Sequence, residues 1–414
     1  MKLRVLTKRR SILLLLLLGM NFLLQCNIYS QNRIIKGIIV DSVTQKALGN
    51  AHIFIKETSI GTISNSSGLF RLVIPEKFNN NTICIQFLGY ITYEFSAQTK
   101  KNEFFTIMLA PASFSLNQIE INPLDPKKII LRSIDSIKAK IQNNPYISQV
   151  YYKEKYTNNK NIVQQYEIVF DAYIKEKKKK RKTNINFLKG RHFIDTNKIE
   201  FYAGNSCLSI LSYNPVLDFY TSMSVFNKRN FKKYDFLISD ISKFEGEDVI
   251  VISYKPKKKY ENEAISGRIF IEKKSYFPIR FERDFSEKNK LTKIKTYKYC
   301  SFVETSISFS IHSYYLYKNS YYLGYISFFN QFQKQCSEED SIETIEHKID
   351  LITTSIQTEN VVEIPKEQRV KKGRLDRLIM EECDSDYWGD YNVIEYEHSN
   401  LDKINSDTLI YPTN

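Results

Sequence analysis

Glycine and proline are scarce in this 414-residue chain, at 13 and 10 residues. Collagen-like and low-complexity architectures need far more of both, so they are excluded. The six cysteines lie far apart and no Cys-x-x-Cys occurs. A disulfide scaffold would show dense, evenly spaced cysteines instead. Cys84, Cys207, Cys300, Cys336 and Cys383 read as buried small hydrophobes, with one incidental bridge left open. The five histidines include no His-x-x-Glu and no His-Glu-x-x-His, the ligand spacings of zinc peptidases. His192-x-x-Asp195 and His347-x-x-Asp350 fall in strand-like surroundings, where residues three apart point to opposite faces. Gly-x-Ser-x-Gly, a phosphate-binding loop and a dinucleotide fingerprint are all missing. The sequence therefore nominates no catalytic residue, no metal ligand and no cofactor site, and an enzyme is not expected.

What the chain does have is aromatic weight. Tyr and Phe number 28 and 27, and 42% of residues are hydrophobic. That is enough to fill real cores, and it favours strands. The formal charge of +14 is local rather than general. Residues 1–30 hold Lys2, Arg4, Lys8, Arg9 and Arg10 and no acid. The run from Lys175 to Lys182 holds seven bases and one acid. Residues 376–414 run the other way, with ten acids against Arg377 and Lys403.

The basic start is followed by an apolar run over 12–24 and small residues near Ser30. A charged region, a short apolar region and a cleavage site make a secretory signal peptide, with cleavage expected between Ser30 and Gln31. The run is shorter than the roughly 20 residues a spanning helix needs. Leu23-Leu24-Gln25-Cys26 loosely resembles a lipoprotein box, although Gln25 is larger than the small residue such a box places before the cysteine. The chain is expected to be exported, to the periplasm or the outer membrane.

Short strands separated by turn residues then follow: 34–40, 51–56, 61–64, 69–74, 82–87 and 105–109. Their regularity indicates a β-sandwich. Gly37-x-Ile39-x-Asp41, Ala47-Leu48-Gly49-Asn50-Ala51-x-Ile53, Gly61-Thr62-x-Ser64-Asn65-x-x-Gly68-x-Phe70-x-Leu72 and Phe87-Leu88-Gly89-Tyr90 together resemble the carboxypeptidase-regulatory-like domain. The resemblance covers about 80 residues and implies a seven-stranded, transthyretin-like sandwich without catalytic machinery, of the kind that precedes many exported proteins of Bacteroidetes-type bacteria. Ala47 stands where that pattern usually has Pro.

Beyond the sandwich, Leu116–Ile121 reads as a joining strand. Asp125-Pro126 announces a helix, with Ile130, Ile134, Ile137 and Ile141 on one stripe and Asn143-Asn144-Pro145 as its stop. From 148 to 355, strand follows strand. The short connections suggest a meander forming one large curved antiparallel sheet, half-barrel-like and backed by the helix. This layout is similar to the half-barrel of periplasmic lipoprotein carriers and sorting factors. Asp384–Ile394 resembles the tail of uncharacterised Bacteroidetes envelope proteins, and Trp388 is expected to dock that acidic tail on the sheet. The expected organisation is 1–30 signal, 31–112 sandwich, 113–365 helix and sheet, and 366–414 tail.

The run Lys177, Lys178, Lys179, Lys180, Arg181, Lys182 reads as a solvated hairpin tip, able to meet anionic membrane head groups. It carries no interleaved aromatics, so nucleic acid is not expected as a partner. The expected function is non-catalytic: an envelope scaffold, or a binder of an apolar ligand or an unidentified envelope protein or lipid. Two alternatives stay open. One is an accessory of an outer-membrane uptake or secretion system. The other is a hydrolase whose triad is assembled from distant residues, for which His192 or His312 would need a nucleophile and a carboxylate nearby.

Overall fold

The computed structural model describes residues 32–99, 104–112, 125–141, 144–177, 180–194, 224–261, 265–284, 294–297, 300–335, 341–370 and 387–395. The protein is mainly β. The expected cleavage residues Ser30 and Gln31, Cys26, the joining strand 116–121, and Cys207, Cys336 and Cys383 lie outside the described residues. Among the described residues, no helix is long and apolar enough to cross a membrane.

The sandwich has seven strands: β1 (Arg33–Asp41), β2 (His52–Ile55), β3 (Gly61–Ile63), β4 (Leu69–Ile74), β5 (Thr82–Gln86), β6 (Tyr93–Ser96) and β7 (Phe104–Leu109). One sheet has the order β4-β1-β7 and the other β3-β2-β5-β6. Ile39, Ile53, Ile55, Phe70, Leu72, Ile83 and Ile85 fill the space between them. Gly68 takes a φ of +77°, and a Cβ there would sit 2.4 Å from the Ile39 carbonyl oxygen. The turn closing the β3–β4 connection therefore requires glycine.

Helix α1 (Pro126–Lys140) begins as its sequence dictates: the Asp125 carboxylate accepts from the Lys127 N–H at 2.9 Å, with Pro at the first helical position. It ends earlier than the Asn143-Asn144-Pro145 stop implies. Ile141 is already extended and bridges Tyr321. Ile129, Ile130 and Ile137 are buried, and Ile134 is partly so. The Ser133 and Ser136 hydroxyls donate to the Tyr276 and Ser275 carbonyls at 2.7 Å each, which fixes the helix over one hairpin of the large sheet.

That sheet is built from β8 (Tyr146–Asn158), β9 (Asn161–Lys177), β10 (Lys180–Ile194), β11 (Tyr234–Phe244), β12 (Glu247–Pro256), β13 (Ser266–Glu272), β14 (Pro278–Asp284), β15 (Ile294–Tyr297), β16 (Cys300–Tyr317), β17 (Ser320–Gln335) and β18 (Glu343–Gln357). It is antiparallel and open. The order is β10-β9-β8-β18-β17-β16-β14-β13-β12-β11, with β15 beside β16. This corrects the single meander expected from the short connections. There are two meandering arms, and they join where the first strand, β8, pairs with the last, β18. Tight turns serve the hairpins. Asn159-Lys160, Glu245-Gly246 and Lys318-Asn319 each place two consecutive residues at positive φ, the geometry that matches strand twist.

Alternation gives the sheet two buried faces. Tyr152, Ile168, Leu351, Phe281, Ile269 and Ile252 point toward the helix, where Val225, Phe226 and Phe231 join the same core. Tyr151, Val169 and Ile352 point the other way, with Tyr325, toward the sandwich and the segment 387–395.

Candidate functional site

The seam between sandwich and sheet is where the two halves of the chain meet. Direct hydrogen bonds cross it, the Glu245–Gln86 side-chain pair among them. Ser59 Oγ donates to the Ile356 carbonyl at 2.9 Å and accepts from its N–H at 2.8 Å. The Gly89 N–H donates to the Lys243 carbonyl at 2.8 Å.

The strap 387–395 adds further links. On the sandwich side, Arg71 is buried and donates to the Tyr391 and Gly389 carbonyls. Asn392 Oδ1 accepts from the Val73 N–H at 2.7 Å. The Thr62 hydroxyl donates to the Val393 carbonyl at 3.1 Å, and the Asn65 amide to the Glu395 carbonyl at 2.9 Å. On the sheet side, the Tyr387 hydroxyl donates to the Gly190 carbonyl. Trp388 is 6% exposed and stands edge-on to Tyr151 at 5.7 Å. The Arg191 guanidinium lies 5.4 Å from the Trp388 ring and Lys189 Nζ 4.2 Å from the Tyr387 ring, both within cation–π range.

Beneath Trp388 lies a buried ionic group. Glu167 is 1% exposed. Its carboxylate accepts from the Tyr151 hydroxyl and, at 2.7 Å, from Arg191 Nε, with Lys153 Nζ at 3.6 Å. Burial alone would raise its pKa. The two cations and the hydrogen bonds outweigh that and hold it below the ordinary carboxylate value.

Two adjoining cavities open in the seam. The larger, about 70 Å³, is mostly aromatic and aliphatic, lined by Phe87, Leu88, Phe244, Ile279, Tyr314 and Tyr315, with His52, Arg280 and Thr353 among its polar members. The smaller, about 40 Å³, is polar, with Lys153, Lys155, Lys348, Asp350 and Glu395 on its walls. Asn50 and Ile63 line both. Gly324 makes room for the larger cavity's aromatic wall, since a Cβ there would meet the Tyr315 ring at 2.9 Å.

His52 stacks on Phe54 at 4.7 Å and lies 5.4 Å from Tyr315. Desolvation pushes its pKa down to about 4, so the cavity wall presents a neutral imidazole at pH 7. The folded value lies below the unfolded one of 6.5, so this histidine's contribution to stability is complete above pH 6.5 and is lost as pH falls toward 4. His52→Gln is expected to flatten the decline of the urea midpoint between those pH values, measured against the unmodified protein.

The histidines singled out from the sequence are scattered. His312 Nε2 lies 2.7 Å from Arg283 Nη2, and Arg283 Nε donates to Ser310 Oγ at 2.9 Å. Burial and that guanidinium drive the His312 pKa down to about 3, which makes it a poor general base at neutral pH. His192 stacks on Tyr166 at 5.5 Å. His347 and Asp350 sit on opposite faces of β18. His347 Nε2 lies 2.8 Å from Glu154 Oε1, whereas Asp350 accepts from the Tyr325 and Ser327 hydroxyls. The Glu154–His347 pair was not legible beforehand, because only the β8–β18 pairing brings the two residues together. Among the described residues, no group of three or more His, Cys, Asp or Glu side chains could hold a metal ion.

The basic run straddles the β9–β10 hairpin, with Lys177 opposite Lys180, Glu176 opposite Arg181 and Lys175 opposite Lys182. Lys178 and Lys179 lie outside the described residues. Cys84 is a buried free thiol.

No curated protein matches the chain. A putative outer membrane lipoprotein-sorting protein domain from Vibrio parahaemolyticus is similar at 11% identity and a TM-score of 0.27, over 58% of this chain and 95% of that one. A DUF1329 family protein from Desulfovibrio piger gives 10% and 0.27, over 58% and 96%. The MucA/MucB complex structure from Pseudomonas aeruginosa gives 9% and 0.19, over 57% and 100%. Residues 35–121 match the family model of the CarboxypepD_reg-like domain, and the sandwich at the front of the chain is a domain of that family.

Proposed function

We propose that the protein is a non-catalytic binding protein of the cell envelope, and that its site is the seam between sandwich and sheet. The observation that carries this reading is the pair of adjoining cavities there, walled by both halves of the chain and by the strap. Concave, mostly apolar sites with a few polar groups at domain interfaces are where small molecules bind. The export signal read in residues 1–30 supports the location. A protein exported this way would present its basic hairpin tip to anionic head groups, an electrostatic contact of modest strength. The surroundings of His312 and His192 favour this reading over a hydrolase: one ring faces a guanidinium and the other a phenol.

The large sheet bears on what the ligand can be. Its helix-facing side is filled by α1 and by Val225, Phe226 and Phe231. A half-barrel carrier would need such a face for long acyl chains, so the seam takes a smaller guest. The test is native mass spectrometry of full-length protein purified from its own envelope. A stoichiometric small-molecule adduct is expected. Recovery of a bound protein without such an adduct would select the alternative, an accessory of an uptake or secretion assembly.

A further inference from the structure

We propose that the seam binds a small anionic amphiphile: a compact apolar body in the aromatic cavity, and a carboxylate or phosphate head on Lys155 and Lys348. This rests on the reading of the seam as a binding site and names the class of ligand.

Three observations converge. First, the β8–β18 register sets Lys155 directly across from Lys348, and Lys153 across from Asp350. Directly opposed like charges on one sheet face destabilise the pair. An anionic head seated between the two ammonium groups would serve both as a counter-ion. The polar cavity holds three lysines against the carboxylates of Asp350 and Glu395. Asp350 is engaged by Tyr325, Ser327 and, at 3.2 Å, Lys348. Second, the polar and aromatic cavities share Asn50 and Ile63 as walls, so one molecule can occupy both. Third, Thr353 lines the aromatic cavity, is 5% exposed, and its hydroxyl oxygen is buried without a hydrogen-bond partner in the protein. Buried hydroxyls are nearly always bonded, and a polar atom of a guest would satisfy this one. The cavity volumes of about 70 and 40 Å³ favour a short acyl chain or a single ring over a phospholipid.

The experiment titrates the full chain with octanoate, 1-octanol and inorganic phosphate. The signals are calorimetric heat and the fluorescence of Trp388, whose cluster includes the cavity residues Ile63, Tyr325 and Ile352. Octanoate is expected to bind about 10-fold or more tightly than octanol, the size of a charge-assisted contact. In K155Q/K348Q, checked for folding by its thermal midpoint, octanoate should fall to the level of octanol while octanol is unchanged. Leu88→Trp, which fills the aromatic cavity, should weaken both. Equal binding of octanoate and octanol, or a preference that survives in K155Q/K348Q, would overturn the head-group assignment and leave the cavity standing. Phosphate binding as tightly as octanoate would overturn the amphiphile in favour of a free anion. No response to octanoate or octanol would remove the seam site and the proposal together.

Discussion

Trp388→Ala is expected to lower stability by about 3–5 kcal/mol, the range for emptying a buried large aromatic site. The ring is nearly inaccessible and packs with Tyr151, Val169, Tyr325, Ile352 and Tyr387 in a cluster shared by sheet, strap and sandwich. Removing it opens a cavity and strips Arg191 of an aromatic face. The strap then keeps its hydrogen bonds to the sandwich but loses its main hold on the sheet. Protease cutting within 387–395 should rise along with the loss in urea midpoint, followed by circular dichroism. Val362→Ala, at a side chain 73% exposed, should move the midpoint by no more than about 0.5 kcal/mol. Equal midpoints for the two variants would show that Trp388 does not hold the seam.

Glu167→Ala should cost a similar amount, about 3–5 kcal/mol, by a different route. The side chain offers little apolar surface. Its removal leaves Arg191 and Lys153 facing one another, with the Tyr151 hydroxyl deprived of its acceptor. The pH dependence separates this mechanism from packing loss. The folded pKa of Glu167 is lowered from the ordinary 4.5. Its contribution is therefore present above pH 4.5 and is lost as pH falls through the lower folded value. The stability gap between Glu167→Ala and the unmodified protein should be widest at neutral pH and narrow in acid, whereas the Trp388→Ala gap should not narrow in this way. A Glu167→Ala gap independent of pH would show that the carboxylate's charge is not what stabilises the seam.

Six of the seven sandwich strands were readable because each carries its own signal: alternation closed by Asn65-Ser66-Ser67-Gly68, or by Pro75 after β4. β6 escaped because it has only four residues, two of them, Tyr93 and Glu94, exposed, too short a run to carry an alternation signal. β11 escaped because its edge position leaves Leu237 and Ile241 in solvent, which blurs the alternation. The two-armed order of the sheet was invisible for a deeper reason. Local pattern says that β8 and β18 are strands, but nothing within either one names the other. The same holds for the site. The lysine run 175–182 draws the eye because it is contiguous. Lys153, Lys155 and Lys348 look like the ordinary polar face of two separate strands until register sets them together. Asn50 and His52 acquire meaning only when the sandwich meets the sheet.

The junction of β8 with β18 also fixes the order in which this protein can be completed. When β8, β9 and β10 have emerged, β8 has a partner on one side only, and all the chain through β17 must follow before its second partner arrives. Until then a 13-residue strand offers unpaired N–H and C=O groups to any other strand nearby. Pairings this distant in sequence form slowly. The strap comes later still, so the seam can form only after the whole sheet has been synthesised. A truncation anywhere before β18 would therefore leave an adhesive edge as well as remove the site.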